Sequence, residues 1–417
     1  MGMTMTEKIL ARASGRERVR PGDIVTVKVD LAVEIDILFS TPGYHEVPEK
    51  VWDSEKIAVI LDHAVPAPSI QIANGLQRAR QFVKKFGITK YFSEGRHGIS
   101  HQIVAEQGLA LPGQVLLCAD SHTCAGGAFN CLARGVGSQE MLYVICKGET
   151  WFITCPTVRY ELTGKLARGV YARDIVHHIA SEYGDHVDQN VEYAGEAMNE
   201  LDISSRQTIA TMSAELSAEF VLFETDEKTD AYLRARTAAP YQKVSPDADA
   251  EYADVRRIRL DTIEPTVVLP HFVSHNVRNV SEVGDITIDQ AFIGSCANSR
   301  IEDLREAAKI LEGRQVHPQT RLIITPSSSE VMKAAAREGL IEVFITAGAV
   351  VTNATCGACH GGHLGVVGDG ERCVTTSTRN FKGRMGSAES EIYMASPATV
   401  AASAIAGKLA DPRPLLN

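Results

Sequence analysis

Short apolar runs that end in polar clusters recur along this chain and set its expected architecture. Lys56-Ile57-Ala58-Val59-Ile60-Leu61 runs into Asp62-His63, and Gln114 to Ala119 runs into Asp120-Ser121-His122-Thr123. Further on, Gln290 to Gly294 leads to Ser295-Cys296, and Cys373 to Ser377 leads to Arg379. Val343 to Thr346 and Ala349 to Val351 both precede the cluster from Thr352 to Cys356. Runs of this length, rich in β-branched residues and bounded by turns, predict strands.

A helical period appears between them. Ile301, Leu304, Ala308 and Leu311 share one face of a helix after Cys296. Thr4 with Glu7, and Ser327 with Glu330, have capping-box spacing and predict helix starts there. Ser396 followed by Pro397 and an alanine-rich stretch predicts a closing helix, ended by Asp411-Pro412. Strands alternating with helices imply an α/β architecture with largely parallel sheets. Ligands bind beyond the carboxyl ends of such strands, where every polar cluster named above is expected to lie. One shared site follows. Between about 160 and 283 the rhythm weakens and charged helix-favouring segments such as 168–183 enter, which predicts a middle domain.

A chain of 417 residues exceeds one ordinary core, so two or three domains are expected. Hydrophobic residues at 44% and charged residues at 23% suit a soluble globular enzyme. The net charge of −10 argues against nucleic acid as a partner, because phosphate binding rests on clustered Lys and Arg. No apolar run is long enough for a membrane span, and the first ten residues lack the order of a signal peptide. Nine cysteines without an export signal point to a reducing compartment, the cytoplasm.

Cys296, in G-S-C-A-N-S-R, and Cys356 with Cys359, in T-C-G-A-C-H-G-G, carry the sharpest chemical signal. An iron–sulfur cubane is normally held by four cysteines, and three leave one iron open to substrate. A zinc ribbon would need a second C-x₂-C, which the chain lacks; a redox dithiol would open a helix, whereas this pair lies in a Gly-rich loop. The other six cysteines read as buried thiols. Taken singly, Asp62-His63 and His101 read as ordinary strand-end or helix residues, and Asp120-Ser121-His122-Thr123 as a capped turn. Together they assemble three imidazoles and two carboxylates, the material of a proton-transfer network. Arg379 and Arg384 bracket a short loop with two guanidinium forks suited to carboxylates.

These motifs, with A-D-S-H-T, S-T-R-N-F-K-G-R-M-G and the tail A-S-P-A-T-V-A-A-S-A-I-A-G, resemble the aconitase superfamily in order from about Glu7 to Pro412. The resemblance is greatest to its two-subunit branch, the large subunits of 3-isopropylmalate dehydratase and its 2,3-dimethylmalate and homoaconitate relatives. It implies three α/β domains around a central cleft (1–158, 159–284 and 285–417), without the family's swivelling fourth domain. That domain is expected on a separate small subunit, which carries the catalytic base, a serine.

It further implies that Cys296, Cys356 and Cys359 hold a [4Fe-4S] cluster with one open iron. Asp62 and His63 match the pair that protonates the departing hydroxyl. His101 and Asp120 match a second pair, and His122 a third imidazole whose acidic partner is Glu215. Ser121 and Arg384 match substrate-contacting residues, and Arg379 an arginine beside the site. The expected activity is dehydration and rehydration of a 2-hydroxy di- or tricarboxylate through an alkene; a regulatory relative that binds RNA is the alternative. This chain departs from the pattern at Thr211 and Thr378, where relatives commonly carry Asn, and at Ile35-Asp36, where isopropylmalate enzymes read His-Glu or His-Asp. The last position bears on the substrate's second carboxylate and leaves methylmalate (citraconate hydration) among the open substrates.

Overall fold

A computed structural model describes every residue except Met1, Pro42 and Asn417; Met1 and Asn417, the outer limits of the first and third expected domains, therefore lie outside it. Three parallel-dominated sheets carry the molecule. The first is five-stranded and wholly parallel, in the spatial order Lys90–Phe92, Ile57–Ile60, Leu31–Ile35, Val115–Cys118, Leu132–Gly135. Its strands are nearly continuous apolar runs because helices cover both faces. The second is four-stranded and parallel, ordered Val221–Phe223, Asn190–Ala194, Thr157–Thr163, Asp254–Arg259. The third has seven strands, with Thr266–Val268 and Val277–Asn279 antiparallel at one edge and five parallel strands beyond them.

Two of these sheets share a winding rule that positions the site. In the five-stranded sheet the chain steps outward from Leu31–Ile35 through Ile57–Ile60 to Lys90–Phe92. It then returns to place Val115–Cys118 beside its first strand. In the seven-stranded sheet it steps from Gln290–Ile293 outward to Val350–Val351 and returns to place Arg372–Thr375 beside Gln290–Ile293. A crevice opens beyond the carboxyl ends of strands where such a winding reverses. Asp36 and Asp120 follow the two strands at the first reversal, Cys296 and Thr378 those at the second.

The expected strands form at 57–60, 115–118, 290–293, 350–351 and 372–375. The Thr4–Glu7 capping box opens the helix Met5–Ser14, and Ser396 caps Pro397–Ala406. Two expectations are corrected. Val343 to Thr346 is not a strand but the end of the helix Leu340–Thr346. Phe344 and Ala347 are buried while Ile345 is 59% exposed, a spacing of three that only a helix satisfies; an apolar run this short does not declare its period. The helix expected from Ser327 starts one residue later, because Ser327 Oγ donates to Ser299 O at 2.9 Å and leaves Ser328 to cap Val331 N. Among the described residues no helix is long and apolar enough to cross a membrane.

Candidate active site

The polar clusters converge on one pocket. Asp62, His63, His101, Asp120 and His122 reach it from the five-stranded sheet, and Cys296, Cys356, Cys359, Thr378 and Arg384 from the seven-stranded one. Asp62, His63, Asp120, His122 and Cys296 arrive on turns just after strands, His101 on the helix Ser100–Glu106 and Arg384 on the loop that follows Arg372–Thr375. Ser295 adopts φ +83° immediately before Cys296, a left-handed conformation costly for a non-glycine residue. It is held there as Ser295 Oγ donates to Thr376 O at 2.9 Å and accepts from Ala297 N at 3.3 Å. Between the paired cysteines, Gly357 has φ +59° and any Cβ would meet Thr325 Oγ1 at 2.8 Å, so the C-x₂-C loop folds here only with glycine.

Three histidines carry carboxylate partners. His101 Nε2 lies 2.9 Å from Asp120 Oδ1, which also accepts from His122 N at 2.7 Å. His122 Nε2 lies 2.7 Å from Glu215 Oε1, and Glu215 in turn takes Arg379 Nε at 2.9 Å. Arg379 Nη2 donates to Ser121 Oγ at 2.8 Å. Ser121 is exposed and Arg379 partly so, which puts this pair at the rim. Arg384 Nη2 stands 3.8 Å from Cys359 Sγ.

His63 shows what the sequence missed. Its Nδ1 lies 3.3 Å from Asp36 Oδ1 and 3.7 Å from Asp62 Oδ1. Asp36 also accepts the His63 amide at 3.1 Å and the Ala64 amide at 2.9 Å. Asp62 is divided, with Oδ2 accepting from Ser100 N at 2.8 Å and Oδ1 facing Cys356 Sγ at 3.1 Å. So the carboxylate nearest His63 is Asp36, while Ile35 beside it is wholly buried in its strand. His360 was likewise not singled out: it lines the pocket and meets the His63 ring edge-on at 5.5 Å. Its position directly after Cys359 was the only available signal.

The charges follow from this packing. Burial alone would strip the proton from His63, but the charges of Asp62, Asp36 and Asp120 raise its pKa to about 10. Burial works in the same sense on His122, and the charge of Cys296 with hydrogen bonds to Asp120, Cys296 and Glu215 overcomes it and raises its pKa well above the usual range. Burial opposes the ionised form of Asp120, yet His101 and His122 hold it well below the ordinary carboxylate range. His360 goes the other way, down to about 4, by burial and by the nearby charges of His63, His363 and Arg384. The pocket thus holds protonated and neutral imidazoles side by side.

The donor set fits a sulfur-ligated cluster. All three cysteines are buried and unpaired, and burial with the charges of Asp62 and the other two cysteines pushes the Cys356 thiol well up. Such a set is stable as thiolates only with a cation among them. In the same pocket, Thr378 Oγ1 and Arg384 Nε are buried without partners, donors left for an acceptor that the protein itself does not provide; Thr211 Oγ1, in the helix Ile203–Ser213, is likewise buried without a partner. Among the described residues the three thiols do not form a group with ligand atoms within 4.8 Å of one another. A single tetrahedral zinc held by these three thiols would demand that closeness and a polynuclear cluster does not, although Asp62 with His63 and Cys356, and His101 with Asp120 and His122, each bring ligand atoms that near one another.

Parallel sheets that deliver thiols, imidazoles and carboxylates to one pocket define an α/β enzyme of the metal-assisted, proton-transferring class. The chain belongs to the Aconitase family (aconitate hydratase), which matches residues 44–282 and 272–407. It is 51% identical over 413 residues to the 3-isopropylmalate dehydratase large subunit of Mycolicibacterium smegmatis, covering 99% of this chain and 97% of that one. It is 45% identical over 421 residues to the 3-isopropylmalate dehydratase large subunit 1 of Methanopyrus kandleri, covering 100% of each. The 3-isopropylmalate dehydratase large subunit of Aquifex aeolicus is 45% identical over 426 residues, covering 99% of this chain and 97% of that one. A solved structure, the crystal structure of Thermococcus kodakaraensis aconitase X (holo-form), covers 85% of this chain and 84% of that one at 13% identity and a TM-score of 0.49, too slight a likeness to carry an argument.

Proposed function

We propose that this chain is the large, catalytic subunit of a hydro-lyase that isomerises 3-isopropylmalate, or a close 2-hydroxydicarboxylate, through an alkene. The observation that carries the reading is the single pocket in which three cysteines meet histidine–carboxylate pairs from the opposite sheet. Cys296, Cys356 and Cys359 would hold a [4Fe-4S] cluster, which when bound supplies a Lewis-acidic iron beside the substrate's hydroxyl and carboxylate.

The protein's own residues would do the rest. His63, kept protonated by Asp36, Asp62 and Asp120, gives its proton to the departing hydroxyl, which leaves as water. General acid catalysis of this kind contributes about 10²–10⁴-fold. The neighbouring C–H loses its proton to a base, and the electron pair left behind forms the alkene as the C–O bond breaks. Arg384 faces the carboxylate that gains charge in that step. The Asp120–His101 and Glu215–His122 pairs fix imidazoles on the opposite wall, and hydration reverses the sequence on the adjacent carbon.

The base is assigned to a small subunit with the swivelling domain, a partner supported by the name large subunit borne by the relatives. It would close over the rim at Ser121 and Arg379. The same reading takes 1–158, 159–284 and 285–417 as three α/β domains in a cytoplasmic enzyme. The three larger sheets support that division, although strands Thr266–Val268 and Val277–Asn279 pair into the third sheet.

The test is anaerobic reconstitution with iron and sulfide, addition of the small subunit of a 3-isopropylmalate dehydratase, and assay of alkene formation from 3-isopropylmalate, 2,3-dimethylmalate, 2-methylmalate and homocitrate. Turnover of one of these supports the reading. A fully loaded protein that turns over none of them would overturn it.

A further inference from the structure

Arg173 and Arg206 are 0% exposed and Arg300 is 4% exposed. A guanidinium removed from water needs an anion beside it or a dense set of acceptors. Arg206 has its anion: both terminal nitrogens meet the Asp226 carboxylate. Among the described residues neither Arg173 nor Arg300 forms an ion pair within 4.0 Å of a carboxylate.

What they hold instead is informative. Arg173 Nε donates to Asn298 Oδ1 at 2.7 Å, Nη1 to Ser377 O at 2.9 Å, and Nη2 to Thr376 O. Arg300 Nη2 donates to Cys296 O at 2.8 Å and Nη1 to Ala297 O at 2.7 Å, with Thr208 Oγ1 at 3.3 Å. Every partner is a neutral oxygen. Apart from Thr208, all belong to the loops Cys296–Asn298 and Thr376–Ser377, which flank the winding reversal of the seven-stranded sheet. Arg173 comes from the helix Ala172–Tyr183 and reaches across to both loops. Burial lowers its pKa to about 10, against the charges of Asp303, Asp174, Cys296 and Cys359, so the cysteines lie within electrostatic reach.

We propose that Arg173 and Arg300 are positioning residues of the iron–sulfur site, two buried cations that lock the Cys296 and Thr376 loops and place positive charge behind the cysteine ligands. The assignment rests on the cluster reading given above. It explains why two arginines stay unpaired in the interior while a third, beyond these loops, is paired. Reduction adds one electron to the cluster, so removing a buried cation beside it disfavours the reduced state.

The experiment compares reconstituted wild-type chain with R173M, R173K, R300M and R206M, reading iron and sulfide per chain and the midpoint potential in an anaerobic dithionite titration. R173M and R300M are expected to shift the one-electron equilibrium at least tenfold toward the oxidised cluster, a fall of about 59 mV. R173K keeps the charge and is expected to titrate close to wild type. R206M is expected to lose stability without moving the potential. If R173M does not fold, R300M and R173K carry the comparison. Fully loaded R300M or R173M at the wild-type potential, or R206M shifted as far as they are, overturns the proposal. Wild-type chain that takes up neither iron nor sulfide overturns the cluster reading first and this assignment with it, an outcome plainly separable from the others.

Discussion

Asp36 Oδ1 stands closer to His63 Nδ1, at 3.3 Å, than Asp62 Oδ1 does at 3.7 Å. The two carboxylates also have different second duties. Asp36 caps the turn at His63 and Ala64, while Asp62 ties that turn to Ser100 and to Cys356. Both carboxylates therefore hold charge on His63, and Asp62 alone also reaches the cysteine loop.

Asp36→Asn is expected to lower kcat about 10²-fold with little change in KM or in iron content, because the side chain keeps its place and loses only its charge. Steady-state kinetics of the reconstituted two-subunit enzyme, with iron counted on the same sample, check this. Asp62→Asn is expected to lower both activity and iron content, since its carboxylate faces Cys356.

Thr378→Val replaces a wholly buried hydroxyl that has no partner in the protein. In the cluster-free chain it is expected to be neutral or to stabilise by about 1 kcal/mol, as removal of an unsatisfied polar group does. In the loaded protein the gain is expected to vanish or reverse. Denaturant unfolding of both forms measures the difference, and an equal effect in both would refute a role for Thr378 toward the cluster.

Replacing Cys296, Cys356 or Cys359 singly by Ser is expected to abolish the visible iron–sulfur absorbance, whereas Cys118→Ala and Cys373→Ala, in strands of the cores, are expected to keep it. Removal of iron by a chelator should lower the melting temperature of the wild type, because the metal binds only the folded thiol set. Ultraviolet–visible spectra and thermal melts decide both points.

Glu34 is fully buried with Tyr44 Oη at 2.9 Å, and burial, only partly offset by that hydrogen bond, raises its pKa from 4.5 to about 8. The folded chain keeps a proton there that the unfolded chain releases above about 4.5. The stability from neutral Glu34 is thus complete below pH 4.5 and is lost as pH rises to about 8. Glu34→Gln cannot ionise, so relative to wild type it is expected to gain stability between pH 5 and pH 8, on the order of a few kcal/mol. Urea unfolding at both pH values tests this, and a difference that does not change with pH would contradict it.

Much of the site could be read along the chain because it consists of strand ends. Asp62-His63, Asp120-Ser121-His122 and Cys296 each follow an apolar run directly, and a parallel sheet always turns toward its ligand crevice there. The exceptions have physical causes. Glu215 follows the helix Ile203–Ser213, not a strand, and was reached only through the family's likeness. Asp36 sits beside an ordinary apolar strand, and its duty toward His63 depends on the pairing of Leu31–Ile35 with Ile57–Ile60. Val343 to Thr346 carried too few residues to show whether its period was two or three and a half.

From sequence alone came the α/β alternation, the odd set of three cysteines and the imidazole-rich turns, since each is a local property of neighbouring residues. Only the packed structure decided which carboxylate serves His63, which hydroxyls lack partners, and that Arg173 lies unpaired beneath the cysteine loop. Those are matters of burial and distance between segments far apart in the chain. A charged residue in a polar helix reads the same along the chain whether its side chain ends in water or in the core.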